Sequence, residues 1–190
     1  MTSEPGDVEP SDLEPGDVEP DEKDWTWVLD RPCLDCGFVA TNTAVDELPR
    51  LIRDTMPVWR TVLDRSDARH RPAPGVRSPL EYACHIRDAA RVFDARVRLM
   101  TDQDDPLFAN WDQDRAAVEQ RYSAQDPAVV AGEVEAELET IAARFAAVSA
   151  DQWSRSGRRS NGSTFTVASL GRYFAHDLVH HVWDVTGRRA

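Results

Sequence analysis

The residues best suited to chemistry lie in the stretch from Tyr173 to Asp184, which contains three of the five histidines of the chain. His176 and His180 are four residues apart, so on a helix their imidazoles lie one above the other on the same face. That spacing allows both rings to bind one metal ion. His85 is the other histidine in a helical setting and can supply a third donor. We therefore predict a metal site made by His85, His176 and His180.

Asp177 and His181 form a second pair of donors with the same four-residue spacing. On a helical wheel this pair turns toward the apolar side of the helix. A charged Asp177 near the core would destabilise the fold unless it were paired, since a buried unpaired charge typically costs about 3–5 kcal/mol. We therefore prefer the two histidines and keep Asp177 and His181 as the alternative metal ligands. Hydrogen-bonded histidines without any metal are the third interpretation.

Cys33 and Cys36, followed by Gly37, resemble half of a zinc knuckle, in which a tight turn directs two thiolates at one ion. The chain has no second Cys-x-x-Cys pair. A closed structural site would therefore need Cys84 and a histidine. Buried or redox-sensitive thiols are the alternative. We treat Cys33 and Cys36 as candidate additional thiol ligands.

Apolar residues at steps of three and four predict four amphipathic helices. The first runs from about Ala44 to Arg65. The second begins after the N-cap Ser78, the third begins at Asp126, and the fourth begins after Thr166 and ends before Gly187. A four-helix bundle is the architecture that buries four such stripes, so the predicted fold class is all-α.

The segments between these helices are less regular. Residues 101–125 are predicted to form a long crossover connection with a short helix around Arg115 to Tyr122. Long ordered connections often cover a site. Trp111 lies in this connection. The polar segment Arg155 to Ser163 is predicted to be a loop, and Trp25 to Leu29 is predicted to be a short extended segment that packs its tryptophans on the domain.

Charge is concentrated at the amino terminus of this 190-residue chain, whose formal net charge is −12. Residues 1–24 combine dense acidic residues with a proline in every pentad, which predicts a disordered tail before a single domain at 25–190. Neither part offers the basic surface that nucleic acids require. No signal peptide or membrane-spanning run is evident, so we expect a soluble, cytoplasmic protein.

Two segments, Ser78 to Asp88 and His176 to Asp184, resemble the DinB-like superfamily, which includes the mycothiol-dependent maleylpyruvate isomerase and the bacillithiol transferases. The resemblance implies a four-helix bundle of DinB type. It also implies a divalent metal held by one ligand from the second helix and two from the fourth. In this chain those positions match His85, His176 and His180, and isomerase relatives can use glutamate at the position of His176.

The expected function is metal-activated S-transfer or isomerisation with a mycothiol-type thiol as cosubstrate. Zinc is the expected metal and nickel is an option, because three imidazoles leave a zinc ion with an open position at which a thiol is deprotonated. Tyr173, Trp183 and Trp111 are expected to line a pocket for the electrophile. The expected partners are these small molecules and, in a homodimer, a second copy of the chain. The alternatives are a non-catalytic metal-binding or stress-associated bundle and a metal-dependent hydrolase.

Overall fold

The computed structural model describes residues 25–190, and the predicted acidic tail at 1–24 lies outside the described residues. Helices account for most of the described chain. They are α1 (Leu48–Leu63), α2 (Pro79–Asp102), α3 (Gln113–Glu119), α4 (Pro127–Ala146) and α5 (Val167–Thr186). Across residues 25–190, none of these helices has the length and apolarity that a bilayer crossing requires.

The four long helices form a bundle in which α1 and α2 each pack against both α4 and α5. Consecutive helices α1 and α2 touch much less, so they occupy diagonal positions. The predicted four-helix bundle with a long crossover is confirmed. Gly171 lets α5 approach its neighbours, because a Cβ atom there would lie 2.7 Å from Leu48 Cδ1 and 3.0 Å from Phe145 Cε1.

The predicted helix starts agree with the caps in the structure. The Ser78 hydroxyl accepts a hydrogen bond from the Glu81 amide, and the Glu81 carboxylate accepts one from the Ser78 amide, so the capping box is complete. Asp126 caps α4 and Thr166 caps α5 in the same way, through side-chain oxygens that accept backbone amides. The left-handed Gly187 ends α5.

Glu81 also holds the start of α2 in place through a buried ion pair. Arg71 donates to both carboxylate oxygens, with Nε–Oε2 at 2.9 Å and Nη2–Oε1 at 2.6 Å. Burial opposes ionisation of Glu81, but the hydrogen bonds from Arg71 and Ser78 outweigh it, so the pKa of Glu81 is lowered. The first turn of α2, one turn before His85, is therefore anchored to the preceding loop.

Three local predictions differ from the structure. The predicted loop at 155–163 and the connection after α2 contribute a small sheet with strand order β1-β2-β3, made by β1 (Leu107–Phe108), β2 (Ser156–Arg159) and β3 (Thr164–Thr166). These strands are too short for an alternating pattern to be visible in the sequence. The segment Trp25–Leu29 is a 3-10 helix rather than extended. The first long helix begins at Leu48, after a separate 3-10 turn at Val45–Glu47.

Candidate functional site

Helix α5 carries two adjacent stripes of metal-binding residue types. His176 and His180 form one stripe, and Asp177 and His181 form the next, displaced by a single residue. One residue of an α-helix corresponds to a rotation of about 100°. The two stripes therefore point toward different neighbours, and the structure supplies each stripe with its own additional donors.

The first group of donors consists of His85 from α2 with Asp177 and His181 from α5, and we call it the His-Asp-His group. One donor atom from each residue lies within 4.8 Å of the others. Asp177 stands between the two rings, with its Oδ2 3.3 Å from His85 Nε2 and its Oδ1 3.4 Å from His181 Nε2. Two helices thus place two imidazoles and one carboxylate at a common point.

Neighbouring side chains fix the rings of this group. His181 Nδ1 lies 2.7 Å from Asp184 Oδ2, so the carboxylate accepts a hydrogen bond from Nδ1–H. This contact leaves Nε2 directed at Asp177. Trp111 stacks on His85 with ring centroids 5.4 Å apart, and Tyr82 lies 4.9 Å from His181. His85 Nδ1 is buried and has no hydrogen-bond partner among residues 25–190. Packing rather than a second hydrogen bond therefore orients the His85 ring.

The electrostatics of the His-Asp-His group separate its two histidines. Burial lowers the pKa of His85, although Asp177 acts in the opposite direction. Burial also disfavours charge on His181, but hydrogen bonds to Asp177 and Asp184 raise its pKa to about 9. The pKa of Asp177 is well below its usual range, because the two imidazoles outweigh the effect of burial. Asp177 is therefore a carboxylate, and its side chain retains 29% of its exposure.

The second group consists of Cys33, Cys36, His176 and His180, and we call it the Cys-His group. Four donor atoms, one from each residue, all lie within 4.8 Å of one another. Cys33 Sγ is 3.6 Å from His180 Nδ1. All three cysteines of the described chain are free thiols. This group therefore joins the segment before α1 to the outer face of α5.

A tight turn presents the two sulfurs to α5. The Gly37 amide donates to the Cys33 carbonyl at 2.9 Å, and the Phe38 amide donates to Cys36 Sγ at 3.5 Å. Gly37 has a φ of +84°, a conformation that favours glycine over residues with a side chain. The carboxy-terminal Ala190 amide donates to the Cys36 carbonyl at 2.8 Å, which holds the turn from its other side.

Aromatic rings enclose the Cys-His group. Trp25 lies 5.7 Å from His176 and 5.2 Å from His180 between ring centroids, and Phe38 lies 5.8 Å from His176. Trp183 lies 5.4 Å from His180. Burial and then the neighbouring His180 lower the pKa of His176 to about 4. Burial likewise raises the pKa of the Cys36 thiol to about 12, so burial disfavours charge on both Cys36 and His176.

The predicted ligands His85, His176 and His180 are thus divided between two groups. His176 and His180 do lie opposite the core stripe of α5, as predicted, but the segment containing Cys33 and Cys36 covers them instead of α2. The physical reason is the rotation of α5, which turns Asp177 and His181 toward α2. Asp177 avoids the expected burial cost because it is partly exposed and lies between two imidazoles.

The remaining predicted residues are also distributed over several places. Trp111 belongs to the His-Asp-His group, whereas Trp183 belongs to the surroundings of the Cys-His group. Tyr173 packs against Phe93 and Phe165. Cys84 is in neither group. Its sulfur lies 3.5 Å from Gln125 Oε1.

The donor chemistry of the His-Asp-His group fits a divalent cation. Two imidazoles with one carboxylate are a donor set that binds zinc and related ions, and His181 has the carboxylate partner on its other nitrogen that metal-bound histidines usually have. Three protein donors are one fewer than a tetrahedral ion accepts. The class of protein that the fold and this site define is therefore a helical bundle with a candidate open metal site.

Comparison with known proteins agrees with this class. The chain belongs to the DinB superfamily, whose family model matches residues 47–185. YfiT from Bacillus subtilis, described as a probable metal-dependent hydrolase with an unusual four-helix bundle topology, has a similar structure with a TM-score of 0.68 and 15% sequence identity. The similarity covers 75% of this chain and 84% of YfiT, and it concerns the fold. None of the curated proteins searched matches the chain.

Proposed function

We propose that the protein binds one divalent metal ion, zinc in the first instance, at His85, Asp177 and His181 and acts as a thiol S-transferase. A metal ion at this position would supply Lewis acidity, which lowers the pKa of a bound thiol and makes a thiolate available at neutral pH. The cosubstrate is a small cellular thiol of the mycothiol type, and the second substrate is an electrophile. Isomerisation through a thiol adduct belongs to the same class of chemistry.

The observation that carries this proposal is the convergence, among residues 25–190, of three donors from two helices. An ion held by three protein ligands keeps a position for a substrate atom, which distinguishes catalytic from structural zinc sites. One carboxylate balances only part of a dipositive charge. The site thus retains the positive charge that attracts a thiolate.

The surrounding residues position the ligands and shape the approach to them. Asp184 accepts a hydrogen bond from His181 Nδ1–H, so Nε2 is the nitrogen that a metal would bind after displacing its proton. Trp111 stacks on His85, and Tyr82 lies beside His181, so apolar ring surface flanks the donors. These rings can pack against the carbon skeleton of a thiol or an electrophile.

Thiol transfer fits the site better than hydrolysis does, because both nearby carboxylates already have partners. Hydrolysis gains from a free carboxylate that accepts a proton from water. Asp177 is a member of the donor group, and Asp184 is engaged with His181. A thiol that ionises on binding releases its proton to solvent and needs no such base. Metal-dependent hydrolysis nevertheless remains the second candidate, because YfiT has a similar fold and is described as a probable hydrolase.

The test compares the full chain in metal-loaded and metal-stripped forms. We expect transfer of mycothiol or bacillithiol to a model electrophile to require metal, and we expect His85→Ala to lower the rate by at least about a hundredfold because one metal ligand is lost. His70→Ala is the matched control, since His70 is exposed in the loop between α1 and α2.

The outcomes separate the candidate functions. Equal transfer rates before and after metal removal would contradict the proposal. Ester or amide hydrolysis that needs metal, together with no thiol transfer, would favour the hydrolase. Metal binding that His85→Ala abolishes, without either activity, would favour a non-catalytic metal-binding bundle.

A further inference from the structure

We propose that Cys33, Cys36, His176 and His180 form a second metal site, a closed zinc site that fastens the segment 25–43 to α5. The donor types are those of a structural zinc site with two cysteines and two histidines. Two thiolates select zinc over the hard cations magnesium and calcium, which prefer oxygen ligands.

The distances agree with tetrahedral coordination. Zinc–sulfur bonds of about 2.3 Å and zinc–nitrogen bonds of about 2.0–2.1 Å at a tetrahedral angle place the sulfur about 3.6 Å from the nitrogen. Cys33 Sγ and His180 Nδ1 are 3.6 Å apart. The remaining separations are all within 4.8 Å, so only small side-chain rotations would be needed to complete the site.

An unpartnered polar atom points independently to a missing ligand. His176 is 3% exposed, and its Nε2 has no hydrogen-bond partner in the described part of the chain. A buried polar atom without a partner destabilises the folded protein. Coordination would give the His176 ring the polar contact that the protein itself does not provide.

The turn around Cys36 is already arranged for a thiolate. The Phe38 amide points at Cys36 Sγ, and an amide donor favours the charged form of sulfur. Both sulfurs are buried, so thiolates there need a cation. Two thiolates neutralise a dipositive zinc ion, and the complete site can therefore remain buried without net charge.

This site would be structural rather than catalytic. Four protein donors fill a tetrahedral ion, and the rings of Trp25 and Phe38 cover His176. Its effect is to hold the amino-terminal segment against the side of α5 that faces away from α2. The inference does not depend on the proposed thiol transfer, because the His-Asp-His group shares no ligand with the Cys-His group.

The test is cobalt substitution of the full chain under reducing conditions, which keep the cysteines as thiols. Cobalt is used because cobalt–thiolate bonds give a charge-transfer band in the near ultraviolet. We expect the wild type to bind about two equivalents of cobalt and to show this band. Cys33→Ser should lose one equivalent and most of the band. Cys84→Ser is the matched control and should retain both, since Cys84 is buried but lies outside the group.

One further variant distinguishes failure of this site from failure of the His-Asp-His group. His85→Ala should lose one equivalent of cobalt and keep the thiolate band, which separates the two groups. If Cys33→Ser does not fold, the wild-type spectrum still decides the question. Absence of the thiolate band in the wild type would overturn the inference.

Discussion

The two donor groups on α5 occupy adjacent stripes of one helix, yet they differ in composition and enclosure. The His-Asp-His group offers three donors, one of them a carboxylate that is partly exposed. The Cys-His group offers four donors, two of them buried thiols beneath aromatic rings. With a dipositive ion, the first group would retain positive charge and a position for substrate, whereas the second would be neutral and complete.

A displacement of one residue along α5 thus separates the proposed catalytic site from the proposed structural site. Asp184 lies between the two groups, with Oδ2 2.7 Å from His181 Nδ1 and Oδ1 4.0 Å from His180 Nε2. It makes a hydrogen bond to the first histidine and only a longer-range contact with the second. Asp184 should therefore affect metal affinity more at the His-Asp-His group than at the Cys-His group.

The largest expected difference concerns metal retention. If the two sites differ as proposed, a chelator should remove the ion of the His-Asp-His group first, because that group has one donor fewer and no thiolate. We expect an affinity for zinc on the order of a thousandfold higher at the Cys-His group, or about 4 kcal/mol. Chelator titration of the cobalt protein, followed by its thiolate band and by total metal, measures both steps.

His180→Ala provides the control for this titration, since only the weaker step should remain in that variant. Release of both ions in a single step from the wild type, with the thiolate band falling in proportion to total metal, would remove the proposed distinction between open and closed sites.

The second prediction concerns the anchoring of α2, which carries a donor only for the His-Asp-His group. Arg71→Ala leaves the buried Glu81 without its partner and should lower the free energy of unfolding by about 3–5 kcal/mol. Arg50→Ala, which breaks an exposed pair with Asp54, is the control and should have little effect. Denaturant unfolding at neutral pH measures both variants.

The pH dependence of this difference has a definite sign. The pKa of Glu81 is lowered in the folded protein, so its stabilising contribution is present above the ordinary carboxyl pKa of about 4.3 and is lost as the pH falls through the folded value. The difference between wild type and Arg71→Ala should therefore shrink in acid. A difference that is constant from neutral to acidic pH would show that Arg71 acts through packing alone.

Much of the fold could be predicted because its signals are local. Ser78, Asp126, Thr166 and Gly187 are capping residues whose effect extends over a single turn, and each marks a helix boundary in the structure. The apolar stripes likewise depend only on spacing along one helix. The small sheet could not be predicted because its strands are only two to four residues long and because β1 pairs with β2 across a long stretch of sequence, as in Leu107 with Arg158.

The candidate site was harder to predict because its assembly depends on how α5 is rotated. Spacing alone allows either His176 with His180 or Asp177 with His181, and the chain in fact provides neighbours for both pairs. The segment with Cys33 and Cys36 lies far from α5 in sequence. The sequence did contain a signal for this group, the Cys-x-x-Cys spacing of Cys33 and Cys36. Two cysteines with this spacing can share a metal ion with a histidine pair on a helix, and not only with Cys84 and one histidine.

The third prediction uses the carboxylate that lies between the two groups. Asp184→Asn keeps the size of the side chain but weakens its hydrogen bond to His181 Nδ1. We expect metal affinity at the His-Asp-His group to fall by about 10–100-fold, because the loss of a carboxylate that hydrogen-bonds the other ring nitrogen of a histidine ligand has an effect of this size. Cobalt titration of Asp184→Asn in the His180→Ala background isolates that group.

The matching measurement uses His85→Ala, in which only the Cys-His group should bind. There Asp184→Asn should change cobalt affinity much less, given the 4.0 Å separation between Asp184 and His180. Equal losses in the two backgrounds would mean that Asp184 acts on α5 as a whole and not through His181.

The smallest expected effects come from the aromatic rings that flank each group, Trp111 beside His85 and Trp25 beside His176 and His180. An aromatic pair contributes about 0.5–1.5 kcal/mol beyond its buried area, which corresponds to a change of several-fold. Trp111→Leu should therefore raise the KM for the electrophile several-fold and leave the cobalt–thiolate band unchanged. Trp25→Leu should leave KM unchanged and speed metal loss from the Cys-His group. If both variants changed KM and neither changed metal release, the two stripes of α5 would serve one continuous site, and the division into an open and a closed centre would fail.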